Sequence, residues 1–342
     1  MKYKHIIDLC FYFNTGFAQN YLDTIVSKNS FYPFSLLFNY KTRLNFLSKE
    51  TYLFTDVRYI DGLKLASLGF EKFFNNKQTR IYTYYKGMIR DQYRDSIYLL
   101  NPSLWKIKAF NGAIHMGIEH TYARPSFTGL FSLDIRASAF SMNYDFSYIR
   151  FLNIHRQKIG KFDLHTRIFG QFGVGNYIPG ESALFVAGAN PEEMMDNKFT
   201  RSMGIIPPDW AKLGPTTNHF SYGGSLNLRG YNGYLLPYVW NQNFIDYAFA
   251  GLSGASVNAE LEFTRLFSFL KIKKLNNAMK LQPYLFGDIG VIDVGYSPSY
   301  MKASDIMADA GAGIALTIYK WGPITQVKPF TIRLFLHICF LI

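Results

Sequence analysis

The sequence predicts an all-β protein, an antiparallel transmembrane β-barrel of about 14 to 16 strands with one long loop region. Three observations carry that expectation. Apolar and polar residues alternate strictly through much of the chain, the period of a strand with two different faces. The alternating segments run about nine to eleven residues, the length of a tilted strand crossing a bilayer, whereas soluble strands are nearer five or six. Aromatic residues make up 18% of the 342 residues, chiefly 32 Phe and 25 Tyr. Flat rings suit a pleated surface and form girdles where a barrel meets the lipid boundary.

Each segment can be read in chain order. Lys2 and Lys4 give a basic start, and an apolar stretch interrupted by Asp8 and Asn14 runs to Gly16-Phe17-Ala18, a small-x-small site. Two readings stay open: an export leader over 1–18 followed by a barrel over 19–342, or an internal start. Over 129–139, Phe131, Leu133, Ile135, Ala137 and Ala139 oppose Ser132, Asp134, Arg136 and Ser138. Over 162–172, Phe162, Leu164, Ile168 and Phe172 oppose Asp163, His165, Arg167 and Gln171. The stretch 175–218 is rich in Pro, Gly and Asn and is expected to be a long loop. Inside it Pro191-Glu192-Glu193 suits the first turn of a short helix. Alternation resumes over 256–264, where Val257, Ala259, Leu261 and Phe263 oppose Ser256, Asn258, Glu260 and Glu262. Over 328–338, Phe330, Ile332, Leu334, Leu336 and Ile338 form an apolar face. A soluble sandwich or lipocalin-like barrel would also need one apolar face; strand length and chain size favour the membrane barrel.

Composition narrows the function classes. Mean hydropathy is −0.02, and no uncharged apolar run approaches the ~20 residues of a spanning helix. The net charge of +12 is scattered over turns and polar strand faces, with no basic helix or cluster, so no nucleic-acid partner is expected. Cys10 and Cys339 have no ligand spacing. His115 and His120 stand five apart, which aligns them on neither a helix face nor a strand face, and His165 reads as a solvated lumen residue. Nucleophile elbows, phosphate loops and His-Glu-x-x-His are absent from the sequence. The expectation is a protein that is not an enzyme and carries neither metal nor cofactor.

Three polar sites in the C-terminal half stand out. Arg229, beside Gly230 and Tyr231, lies in a glycine-rich turn; Glu262 sits in an alternating strand; and Asp288 sits between Phe286 and Gly290 on the polar face of another. Glu262 shares its face with Glu260 and Thr264. A guanidinium is a rigid fork suited to carboxylates, so an arginine folded into a lumen would tie its loop to the wall. The predicted internal latch is Arg229, Gly230, Tyr231, Glu262, Phe286 and Asp288.

The order of an Arg-Gly-aromatic turn, a Leu261-Glu262-Phe263 strand and a Phe286-Gly287-Asp288-Ile289-Gly290 strand resembles the BamA/TamA outer-membrane assembly-factor family, the bacterial surface-antigen barrels. The resemblance is specific over about 219–335 and compositional before it. It implies an outer-membrane location, contact with outer-membrane lipids, an unfolded polypeptide as substrate, and a loop arginine that contacts acidic strand motifs in the lumen. Alternation begins near Phe31, so a barrel without the family's periplasmic repeats is expected. Family barrels finish on a strand with a terminal aromatic, and Cys339-Phe340-Leu341-Ile342 departs from that pattern, which leaves open whether the last strand is complete. A second resemblance runs from Gly180-Glu181-Ser182-Ala183-Leu184-Phe185 through Asn190-Pro191 to Arg201-Ser202. It is to the C-terminal barrel region of outer-membrane aminopeptidase-like proteins. It implies an alternative: a membrane-anchor barrel without activity of its own, whose zinc-peptidase domain lies upstream on a separate chain.

Overall fold

The computed structural model describes residues 5–13, 34–44, 50–60, 62–91, 106–141, 144–187, 190–196, 226–231, 236–240, 244–248, 250–266, 279–293, 304–319 and 330–341. The strands are β1 (His5–Phe13), β2 (Phe34–Arg43), β3 (Thr51–Ile60), β4 (Leu63–Phe74), β5 (Thr79–Arg90), β6 (Phe110–Ala123), β7 (Phe127–Ser138), β8 (Asp145–Ile159), β9 (Phe162–Tyr177), β10 (Leu184–Phe185), β11 (Leu236–Trp240), β12 (Phe244–Ala248), β13 (Ala250–Gly251), β14 (Gly254–Glu262), β15 (Met279–Ile292), β16 (Met307–Ile318) and β17 (Phe330–Leu341). Among them lies one short helix, α1 (Pro191–Asp196). Thirteen strands form a single antiparallel sheet in the order β1 to β9, then β14 to β17. No pairing joins β1 to β17 among the described residues. Among the described residues the sheet holds 13 strands against about 14 to 16 expected, and β10 to β13, from the long connection, pair outside it. His5–Phe13, within the stretch offered as a leader, lies in the sheet as β1, paired to β2; residues 14–18 fall outside the described residues.

Turn chemistry sets the hairpins. Ile159 pairs with Phe162 across a two-residue turn, and Gly160 takes φ +58°, the left-handed conformation such a turn requires. At the same end of the sheet, residues 75–78 and 124–126 close β4–β5 and β6–β7. The long connection over 178–253 leaves from the opposite end.

The distribution of side chains is inside out. Leu68, Phe70, Ile81, Met116, Ile135, Ile149, Phe172, Val257, Leu281, Leu285, Ile289 and Ile314 are exposed, as are Leu334, Leu336 and Ile338. All lie on one face, as the cross-strand pairs Ile81↔Ile118, Met116↔Ile135, Ile135↔Ile149, Ile149↔Phe172, Val257↔Ile289 and Ile314↔Leu334 require. The other face buries Glu71, Lys86, Asn111, Arg136, Gln171, Asn258, Glu260, Asp288 and Asp309. In water this arrangement would be unfavourable, since each exposed large apolar side chain forgoes about 1.5–3 kcal/mol of burial. Against hydrocarbon the same face is satisfied.

Aromatic residues bracket that apolar face. Toward the short turns Tyr122 packs edge-on to Phe127 and accepts or donates a hydrogen bond at His155 Nδ1 (3.1 Å). At the opposite end Tyr85 packs against Phe140, which is 85% exposed. From Phe110 to His120 on β6, about 3.4 Å per residue and a tilt of about 40° give a height of roughly 26 Å, near the ~25 Å apolar band of a membrane barrel.

Described parts of the long connection, residues 184–187 and 226–231, form a plug against the buried face. Leu184 and Phe185 pair with Gly251 and Ala250. Leu226 and Leu228 donate backbone hydrogen bonds to Phe185 (3.2 Å) and Val186 (3.1 Å), so both ends of the connection are knitted together. Leu184, Val186, Leu226, Leu228 and Tyr231 pack with Phe169, Ile292 and Met307 of the wall in one apolar cluster. Gly290 makes the close approach possible: a Cβ there would sit 3.2 Å from Leu228 Cδ2 and 2.9 Å from Ala255 O.

Candidate functional site

Two charge locks hold the plug to the wall. The first is built on Arg229, in a single 3-10 turn over Arg229–Tyr231. Its guanidinium is buried and grips both carboxylate oxygens of Asp288 on β15 along one edge: Nε to Oδ2 and Nη2 to Oδ1, each 2.7 Å. Nη1 reaches Glu260 Oε2 on β14 at 3.0 Å, and Nη2 donates to Ala259 O at 3.3 Å. The guanidinium carbon lies 4.0 Å from the Phe286 ring centroid, a cation–π contact that covers one flat face. Backbone groups complete the lock. Arg229 N donates to Asp288 Oδ2 (3.2 Å) and Gly230 N to Asp309 Oδ2 (2.9 Å). Tyr231 Oη donates to Ala308 O (3.3 Å).

Strand register explains which acids are used. Asp288 pairs with Asn258 on one side and Asp309 on the other. Asn258 donates to Asn227 O (3.0 Å), and Ser256 Oγ donates to Leu226 O (2.7 Å), which places the turn over that row. Asn227 holds φ +56°, a conformation asparagine tolerates, and so aims the next residues inward. Glu260 is one same-face step along β14, about 7 Å, within reach of a guanidinium centred on Asp288. Glu262 is two steps away.

The expectation that Glu262 belongs to the latch is therefore corrected. Glu262 accepts from Thr264 Oγ1 (2.6 Å) and Gln282 Nε2 (2.9 Å), with Lys280 Nζ at 3.6 Å. Glu260, its neighbour on the same polar face, is the acid that Arg229 meets. Of the residues read from sequence, the structure brings together Arg229, Gly230, Tyr231, Phe286 and Asp288; Asp309 was missed. Its setting, Met307-Ala308-Asp309-Ala310-Gly311, places an acid among small residues much as Asp288 is placed, and that is the signal by which it could have been found. His165 lines a polar cavity of about 340 Å³ toward the short-turn end, with Arg156, Lys158, Asp163, Glu262 and Lys280.

Sequence reasoning did not reach the second lock. Glu192, in the first turn of α1, receives Arg136 Nη1 from β7 at 2.6 Å, Lys86 Nζ from β5 at 2.9 Å and Ser182 Oγ at 2.5 Å. Asn111 on β6 accepts from Arg136 Nη2 (3.1 Å) and donates to Glu181 Oε1 (2.9 Å) and Ser182 Oγ (3.0 Å). Arg150 Nη1 on β8 lies 3.6 Å from Glu193 Oε1. A capping box presents the pair: Asn190 Oδ1 accepts from Glu193 N (2.8 Å), and Glu193 Oε2 accepts from Asn190 N (3.1 Å). The spacing Asn190-x-x-Glu193 is the sequence signal for this box; its partners on β5 to β8 have none, because they come from distant strands.

Electrostatics follow from burial and partners. Burial opposes ionisation of Glu192, but the Arg136 and Lys86 cations outweigh it and hold the carboxyl well below the usual carboxylate range. Burial pushes Glu193 up, offset in part by Arg150. Burial likewise pushes Glu181 up to about 7, against its backbone hydrogen bond and Asn111. Its Oε2 is buried without a hydrogen-bond partner.

No protein-family model matches the chain, and no curated protein matches it. Among solved structures, one similar to it is BamA from Haemophilus ducreyi lacking POTRA domains 1–3. The TM-score is 0.47 at 13% identity, with 90% of this chain and 60% of that one covered. The chain thus spans 60% of the length of that structure.

Proposed function

We propose that this chain is an outer-membrane β-barrel that serves the assembly or translocation of polypeptides, with the plug tied to the lumen wall by Arg229. The observation that carries the membrane reading is the inside-out sheet. Large apolar side chains such as Leu285 (50% exposed) and Ile289 (46%) face outward, while Asp288 between them is 3% exposed. The polypeptide reading is supported by the order of Arg229-Gly230-Tyr231, the acidic β14 strand and Phe286-x-Asp288, joined in space by the first lock. The lock is a positioning device rather than a catalytic one. Guanidinium and carboxylates satisfy one another and hold the connection against the wall. Lipids are the outer partners, an unfolded polypeptide is the substrate, and no enzyme activity or cofactor is assigned.

Cell fractionation with heated and unheated gel migration tests the location, and depletion of the chain tests the role. Outer-membrane recovery, heat-modifiable migration and a fall in other outer-membrane barrels on depletion are expected. A chain recovered in the soluble fraction, or depletion that leaves other barrels untouched, rejects the reading. A second reading, a membrane anchor for a peptidase-like partner on a separate chain, draws on residues 180–191, whose Glu181, Ser182 and Asn190 build the second lock. Co-purification with a chain carrying His-Glu-x-x-His would favour it.

A further inference from the structure

Plug and wall exchange charge in opposite senses at the two locks. On β14 to β16 the wall supplies Glu260, Asp288 and Asp309, and the plug supplies Arg229. On β5 to β8 the wall supplies Lys86, Arg136 and Arg150, and the plug supplies two consecutive glutamates. Arg136 is 2% exposed and permanently charged, and Glu192 is its ion-pair partner among the described residues. The wall's own acids nearby are turned elsewhere: Asp134 accepts from Tyr82 Oη (2.9 Å) and Glu119 from Arg80 Nη1 (3.1 Å). This stretch of wall is therefore a built carboxylate site. It has a guanidinium and an ammonium for one acid, an amide between them at Asn111, and a second guanidinium for the next acid.

We propose that Lys86, Arg136 and Arg150 form a receptor for two adjacent carboxylates, filled by Glu192 and Glu193 of the plug and open by exchange to a di-acidic segment of another polypeptide. That the competitor is a polypeptide rests on the function proposed above; the receptor does not. The buried cations Lys86 and Arg136 shed their resident acid at high cost unless another anion takes its place. Release of α1 and capture of an acidic segment are thus linked, and each favours the other by the same factor. The preference for a di-acidic peptide over a small anion comes from the arrangement of the three cations. Arg136 and Lys86 converge on one carboxylate while Arg150 stands at the next residue's carboxylate.

Full-length protein refolded in detergent micelles provides the test, with a fluorescent heptapeptide of residues 190–196 as probe. The variant E192Q/E193Q removes the resident charges with little change of shape. It should bind the peptide about tenfold more tightly than the natural protein does, within the usual range of coupling between sites. A peptide with Gln in place of Glu192 and Glu193 should not bind, and adding R136Q to the protein should abolish binding. Equal binding by both proteins, or equal binding of the Glu and Gln peptides, overturns the proposal. Where E192Q/E193Q does not fold, the natural protein serves. The acidic peptide should speed proteolytic cleavage within residues 178–196 about tenfold, and the Gln peptide should leave it unchanged. Inorganic phosphate acting as well as the peptide would overturn the di-acidic assignment. None of these readouts measures polypeptide assembly, so failure of the assembly reading leaves the test intact.

Discussion

Replacing Arg229 with alanine removes the guanidinium that pairs the plug with Asp288 and Glu260 of the wall. Its side chain is 3% exposed and that of Asp288 is 0% exposed, so water does not replace what is lost. Breaking one partner of a buried pair costs about 3–5 kcal/mol, chiefly because the other charge is stranded. Here the stranded acids include Glu260 as well as Asp288, and the cation–π contact on Phe286 is lost too. We expect the plug's docked-to-released ratio to fall by about two to four orders of magnitude, since each ~1.4 kcal/mol is a factor of ten. The assay is protease cleavage of the plug in refolded barrel, followed alongside the heat-modifiable band. Two milder variants sharpen it. Glu260→Gln should weaken docking by about 1–3 kcal/mol, as a charged hydrogen bond is lost. Glu262→Gln, whose partners are Thr264, Gln282 and Lys280, should leave plug protection unchanged. If Glu262→Gln releases the plug and Glu260→Gln does not, the register argument is wrong. If Arg229→Ala leaves cleavage unaltered, the lock does not hold the plug.

Further expectations concern other parts of the molecule. Ile289→Arg puts a cation on the outward face and should destabilise the bilayer-inserted barrel by ~2–4 kcal/mol near the midplane; no effect on urea unfolding in liposomes would argue against a lipid-facing sheet. Gly290→Val crowds Leu228 and Ala255 O and should cost roughly 1–3 kcal/mol of stability, read as a lower unfolding midpoint. For Glu181 the docked carboxyl titrates near 7 against an ordinary 4.5. Below 4.5 it is protonated in both states and docking is strongest; between 4.5 and 7 the released form ionises first and docking weakens; above 7 it levels off. The total change is ~3 kcal/mol at most. Protease protection of residues 178–196 should therefore rise on acidification across that window and lose this dependence in Glu181→Gln.

Much of the fold was legible because a strand's period is two. Once Phe131, Leu133 and Ile135 alternate with Ser132, Asp134 and Arg136, the faces are decided, and a one-residue slip would invert every side chain. Alternation does not say which face is wet. What the structure adds is which face is enclosed: the sheet buries Asp288 and Asp309 and exposes Leu285 and Ile289. The first lock was partly legible, since Arg229 and Asp288 sit in small-residue settings that only a close approach explains.

The choice between Glu260 and Glu262 needed three dimensions. Both lie on one polar face, two residues apart, and only the seating of residues 226–231 over Asn258 and Asp288 brings the arginine to one and not the other. The second lock is a stronger case. By itself the sequence determined the alternation, the loop and a short helix opening at Pro191-Glu192-Glu193, all properties of near neighbours, while the strands run longer than the nine to eleven residues it suggested, up to the 16 of β9. Tertiary structure alone decided that Lys86 and Arg136, from β5 and β7, converge on Glu192, with Asn111 of β6 bonded to Arg136 between them. Convergence depends on sheet register and on the path of a long connection, and neither is encoded in the spacing of those residues.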